Sequence, residues 1–114
     1  MSAIIQPEDW LEAPPRFHGE WQGGAFGASI CVIANRIEGK GGGPRLHKHP
    51  YVEVFVVREG RGLFTIGDEK IEAGAGQILV CPPETPHKFE NLGPGPLETI
   101  DIHETGAFET IWLE

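Results

Sequence analysis

Three side chains able to hold a metal fall at positions 47, 49 and 53, in Gly41-Gly-Gly-Pro-Arg-Leu-His47-Lys-His49-Pro-Tyr-Val-Glu53. Side chains alternate across an extended strand, so residues of one parity line one face. An extended backbone on both sides of Pro50 would bring His47, His49 and Glu53 to one interior wall. Neutral imidazole and carboxylate together suit a borderline divalent transition metal. A fourth candidate, His87, lies in Cys81-Pro-Pro-Glu-Thr-Pro-His87-Lys-Phe-Glu-Asn91.

These segments resemble the two signature motifs of the cupin superfamily. In the first, Gly41, His47, His49, Glu53 and Gly60 occupy every specified position. In the second, Gly76, Pro82, His87 and Asn91 match, while Glu84 stands where the family has a glycine. That glycine serves a turn, so Glu84 must accept a strained dihedral or a different turn. The short spacing between Gly60 and Gly76 resembles that of compact single-domain cupins. The resemblance implies an all-β fold, a double-stranded β-helix (jelly-roll) barrel, with short helical turns near the termini. It implies that His47, His49, Glu53 and His87 hold one divalent ion: Fe, Mn, Ni, Cu, Co or Zn.

Four protein ligands on an octahedral ion leave two adjacent positions open, the mark of a catalytic rather than a closed structural site. Three neutral imidazoles and one carboxylate leave a divalent ion with a net local charge of +1. Such a centre favours an anionic or enolisable oxygen ligand: a carboxylate, phenolate or diketonate.

Among the other polar side chains, Arg45 shares parity with His47 and is a candidate clamp for a substrate carboxylate, against the plainer role of a surface cation. Tyr51, Phe55 and Phe89 share parity with nearby ligands and are expected to line the pocket. The strand Thr99-Ile-Asp101-Ile-His103 alternates polar and apolar residues. With its odd face inward, His103 becomes the candidate catalytic acid–base, because a neutral imidazole titrates near working pH. Asn91 is read as a turn residue, and His18 receives no role. Cys31 and Cys81 lack Cys-x-x-Cys spacing and are expected to be reduced and buried.

The elements that must position these groups are short. Sixteen Gly and ten Pro, spread through 114 residues, interrupt brief runs of Val, Ile and Phe, a pattern of many strands and tight turns. Residues 1–24 are expected to form an irregular arm packing on a single barrel domain over 25–114. Strands are expected over 28–37 and 51–57, with a hairpin at Gly67-Asp68-Glu69. Residues 77–81 and 87–90 are expected to pair across a proline-rich turn, and a late strand is expected over 97–103. Phe108, Ile111 and Trp112, at i, i+3 and i+4, suggest a helical turn docking on the barrel. On the strand after the His pair, Val52, Val54 and Val56 form an apolar face behind the metal-bearing one. That face calls for a cover: a homodimer is expected, with the N-terminal arm carrying Trp10 and Trp21 as the alternative cover.

The formal net charge of −8 argues against nucleic acid and against an anionic membrane surface as partners. No signal peptide or apolar spanning stretch is evident, so a cytoplasmic protein is expected. The favoured function is a small metal-dependent enzyme acting on a small, anionic organic substrate, a dioxygenase first. A metal-assisted isomerase, lyase or decarboxylase and a non-catalytic small-molecule binding domain are the alternatives. A barrel alone does not choose between them.

Overall fold

Short apolar runs separated by glycine- and proline-marked turns fold, in a computed structural model describing residues 2–114, into two five-stranded antiparallel sheets. The first sheet runs in the order β1 (Gly19–Gln22), β2 (Cys31–Ile37), β9 (Leu97–His103), β4 (Glu53–Glu59), β7 (Ile78–Cys81). The second runs β10 (Ile111–Trp112), β3 (His47–Lys48), β8 (His87–Asn91), β5 (Arg61–Ile66), β6 (Glu69–Gly74). The expected jelly-roll architecture is therefore present. The only α-helix among the described residues is one turn, α1 (Pro7–Trp10), with Pro7 at its first position, where a missing N–H costs nothing. No helix among the described residues is long and apolar enough to cross a membrane.

Inward-facing residues divide the interior along the strands. On β4, buried Glu53 gives way to Phe55 and Val57; on β8, His87 gives way to Phe89. On β9, His103 and Asp101 give way to Thr99 and Leu97. The apolar end is closed by Phe55, Phe64 and Phe89, with ring centroids 5.2 to 5.7 Å apart. Burying each such side chain contributes about 1.5–3 kcal/mol. The polar end of the same strands is thereby carried on a rigid frame.

Two turns bear directly on that frame. Gly60 has φ +81, and a Cβ there would lie 2.2 Å from the Pro96 carbonyl oxygen. Gly60→Ala combines a left-handed backbone with a backbone clash. We expect it to destabilise the fold by more than about 2 kcal/mol, read as a lowered urea midpoint. Glu84, at the family glycine position, takes the left-handed conformation itself, with φ 60. Its N–H donates to the His49 carbonyl at 2.7 Å, and its carboxylate pairs with Lys48 at 2.9 Å. The loop keeps its turn geometry without the glycine.

Several expectations are corrected. His47, His49 and Glu53 do not share one extended strand: β3 ends at Lys48 in the second sheet, and β4 begins at Glu53 in the first. Pro50 lacks an N–H and ends the ladder there, so the chain crosses between sheets within the motif. Likewise 78–81 and 87–91 do not pair; β7 joins β4, and β8 joins β3 and β5. The arm is not wholly irregular, since β1 pairs with β2 along the sheet edge. The strand expected from residue 28 begins at Cys31, because a 3₁₀ turn and left-handed Gly27 precede it. Ile111 and Trp112 form a short strand rather than a helical turn, because the open edge of β3 offers unpaired backbone groups. The hairpin at Gly67-Asp68-Glu69 and the late strand over 97–103 are as expected.

Candidate metal centre

The strand crossing brings donors from both sheets to one point. One ligand atom from each of His47, His49, Glu53 and His87 lies within 4.8 Å of every other, and all four residues are buried. His47 and His87 face each other across β3 and β8 in register, ring centroids 4.3 Å apart. Glu53 arrives from the opposite sheet. Its Oε1 lies 3.1 Å from His49 Nε2 and 3.0 Å from His87 Nε2.

Backbone carbonyls fix how the imidazoles present themselves. Nδ1 of His47 lies 2.7 Å from the Arg45 carbonyl oxygen, that of His49 2.8 Å from Glu109, and that of His87 2.8 Å from Thr85. A carbonyl only accepts, so each Nδ1 carries a proton, and in the neutral ring Nε2 keeps its lone pair for a metal. A metal-ligating histidine is oriented in this way by its other nitrogen. His49 Nε2 is buried and has no hydrogen-bond partner of its own. A buried polar nitrogen left in that state costs about 1–3 kcal/mol. A divalent cation among the four donors removes that cost and offsets the Glu53 charge, so these residues fit a transition metal.

The electrostatics agree. Burial works against the Glu53 charge, yet the His103, His49 and His87 imidazoles around it hold its carboxyl well below the ordinary range. Burial, together with the His87 and His49 charges, pushes His47 down, toward the neutral form a metal needs. Burial also acts to lower His87, but contacts with Cys81 and Glu53 outweigh it and raise the imidazole to about 10. A metal must therefore displace that proton, and its affinity rises with pH. Zn(II) at about 100 times its dissociation constant should stabilise the chain by about 2.7 kcal/mol at neutral pH, or about 10 °C in Tm. The same scan at pH 5 should show a smaller shift; no shift at either pH would speak against a metal site.

The other candidates separate into pocket and support. A cavity of about 700 Å³ opens over the four donors, with Phe55, Phe89, Ile33, Phe108 and Trp112 among its apolar lining. Phe55 and Phe89 thus face the cavity. Tyr51 lies behind the donors instead: its hydroxyl donates to His103 Nδ1 at 2.7 Å and lies 3.2 Å from His49 Nδ1. Burial raises the Tyr51 phenol to about 12, so it stays a donor. Arg45 is exposed, its guanidinium 4.9 Å above the Trp112 ring, and is not among the cavity-lining residues. Its cation finds an aromatic face at the rim, a more favourable place than the interior beside a buried carboxylate's partners.

His103 faces inward at the cavity wall, its Nε2 3.2 Å from Glu53 Oε2, the oxygen turned away from His49 and His87. Asn91 lies outside the centre; its amide donates to the Ile37, Gly39 and Gly95 carbonyls and closes a turn. Both cysteines are free and buried, with Cys81 Sγ 3.4 Å from His87 Nδ1. Asp101 escaped the sequence reading as a site residue. The alternation that turned His103 inward carries Asp101 with it, and that parity was the available signal. Burial, reinforced by the Glu53 charge, pushes its carboxyl well above the ordinary range.

Comparison with known proteins agrees with this geometry. Over 69 residues the chain is 42% identical to an uncharacterized protein of Methanocaldococcus jannaschii, a match spanning 60% of this chain and 55% of that one. Solved structures of Bacillus subtilis oxalate decarboxylase superpose over 83% of this chain and 27% of theirs. One comes from work on that enzyme's Mn(II) centres (TM-score 0.75) and another was determined at pH 4.6 (TM-score 0.74), both at 20% identity. At that identity the likeness establishes the fold. Residues 36–103 match the cupin domain family, a span holding both motifs and all four donors, and this chain belongs to that family.

Proposed function

We propose that this chain is a metal-dependent enzyme for a small organic substrate with an anionic oxygen, and that its reaction is a dioxygenation. The observation that carries the reading is the set of carbonyl-locked imidazoles, with their Nε2 atoms and Glu53 converging beneath an apolar cavity. His47, His49, Glu53 and His87 would hold a divalent metal, which would supply Lewis acidity toward an anionic substrate oxygen. Both atoms of O₂ would enter the substrate, so no further reductant is needed. The protein's own part is to exclude water with Phe55, Phe89 and Trp112, and to keep the site only singly positive through Glu53. His103, bridging Tyr51 and Glu53, would move a proton at the cavity wall.

A second reading is favoured by the proton-handling groups. Asp101 and His103 face the cavity together, an arrangement suited to moving a proton at carbon in an isomerase, lyase or decarboxylase. Oxalate decarboxylase shares the fold, at an identity too low to transfer its chemistry. Metal analysis of the purified protein, then an oxygen-electrode screen against phenols, diketones and small carboxylic acids, separates the readings. Oxygen uptake with product supports the dioxygenase. Decarboxylation or solvent-deuterium exchange without oxygen supports the second reading, and saturable binding without product supports a small-molecule binding role.

The proposed assembly is a homodimer through the outer face of the first sheet. In register across it run Val32, Ile102, Val54 and Val80, then Ile100, Val56 and Ile78. Ile78 and Val80, at the edge of that apolar face, are 63% and 59% exposed. A continuous apolar sheet face of this kind favours a twofold partner presenting the same patch. Sedimentation at micromolar concentration should give twice the chain mass, and Val80→Glu should return it to a monomer. A wild-type monomer would contradict the dimer. The compartment proposed is the cytoplasm, where both buried cysteines stay reduced.

A further inference from the structure

The cavity has a second polar wall, away from the metal donors. On β9 the inward side chains at 99, 101 and 103 each leave one buried polar atom without a hydrogen-bond partner: Thr99 Oγ1, Asp101 Oδ1 and His103 Nε2. His103 is accounted for by Glu53 beside it, 3.2 Å away. Asp101 is not. It is 3% exposed, lines the cavity, and sits between Ile33 on β2 and Phe55 on β4, both apolar. Thr99 and Asn35, which pair in register one inward position further along, reach its carboxyl but leave Oδ1 unmet. Asn35 also lines the cavity. A buried carboxyl oxygen without a partner is costly, and natural interiors tolerate few such atoms outside functional sites.

We propose that Asp101 and Asn35 form a subsite for a hydroxyl group of the ligand, so that the site selects short hydroxy acids. This rests on the reading of the four-donor centre as the anchor for an anionic oxygen. A hydroxyl matches the pair because it both donates and accepts. It can give its proton to Asp101 Oδ1 and receive one from the Asn35 amide. An alkyl group would leave the carboxyl oxygen unpartnered. The spacing sets the length: Asp101 lies one inward step along β9 from His103, and His103 pairs in register with Glu53. One such step is about 7 Å. A four-carbon acid with its carboxylate at the metal donors places a terminal hydroxyl at that distance. The apolar wall between, formed by Ile33 and Phe55, suits the methylenes.

The test is a calorimetric titration of Mn(II)-loaded protein with two ligands differing only by the hydroxyl: butanoate and 4-hydroxybutanoate. Wild-type protein should bind the hydroxy acid about tenfold more tightly, the worth of one well-made pair of hydrogen bonds. In Asn35→Ala and Asp101→Leu the preference should fall to within about twofold. Asn35 is only half-buried, so the first variant keeps the test open if Asp101→Leu fails to fold. Equal binding of both acids by wild type overturns the subsite and leaves the anchoring centre intact. A preference that survives Asn35→Ala also overturns it. Binding of neither acid contradicts the anchoring reading, and the subsite falls with it.

Discussion

His49→Ala should reduce bound metal from one ion per chain to less than about a tenth after dialysis, a loss of affinity of at least about 100-fold. His49 supplies the buried, unpartnered Nε2 at the centre, and its Nδ1 is tied to the Glu109 carbonyl at 2.8 Å. No other side chain on its segment can take over: Lys48 pairs with Glu84, Pro50 has no donor, and the Tyr51 phenol is raised to about 12. His87→Ala should behave alike, because it removes one of the four converging donors, the Nε2 that lies 3.0 Å from Glu53 Oε1. His18→Ala is the control. That histidine pairs with Glu12 in the N-terminal arm, and its removal should leave metal content unchanged. Metal analysis of the three dialysed proteins checks the set. Full stoichiometry in both ligand variants would contradict the assignment.

His103→Gln should lower turnover on a verified substrate by about 100-fold or more while leaving metal content at one ion per chain. The imidazole bridges the Tyr51 hydroxyl and Glu53 Oε2, at 2.7 and 3.2 Å, so it can pass a proton between the wall and the buried tyrosine. Glutamine occupies similar space and can still meet Tyr51, but it does not titrate. The measurement is kcat alongside metal analysis. A tenfold or greater loss of metal affinity would instead make His103 an orienting partner of Glu53. Unchanged turnover would remove it from the chemistry.

The donors themselves were legible from their spacing and from the family motifs, because residue type and order survive any local backbone detail. Their placement was not. Parity read His47, His49 and Glu53 as one wall, whereas Pro50 splits them between two sheets. A parity rule cannot see a strand change sheets when both halves remain extended. The inward face of β9 was legible for His103 because alternation is strict there, and the same alternation placed Asp101 in the cavity. Tyr51 and Arg45 were harder. The phenol's hydrogen bonds turn it behind the donors, and Arg45 follows the Trp112 ring that β10 brings to the rim. That strand was itself misread as helix, since an i, i+3, i+4 pattern over so few residues is outweighed by an open sheet edge.

X-ray absorption at the metal edge of the purified, metal-replete protein reads the four-donor centre itself. The spectrum should show one ion per chain with three imidazole nitrogens, the remaining neighbours light oxygen scatterers, and no sulfur. Cys81 Sγ lies 3.4 Å from His87 Nδ1, on the far side of that ring from the centre, and should not contribute. A sulfur neighbour, or a coordination sphere without imidazole, would contradict the four-donor centre.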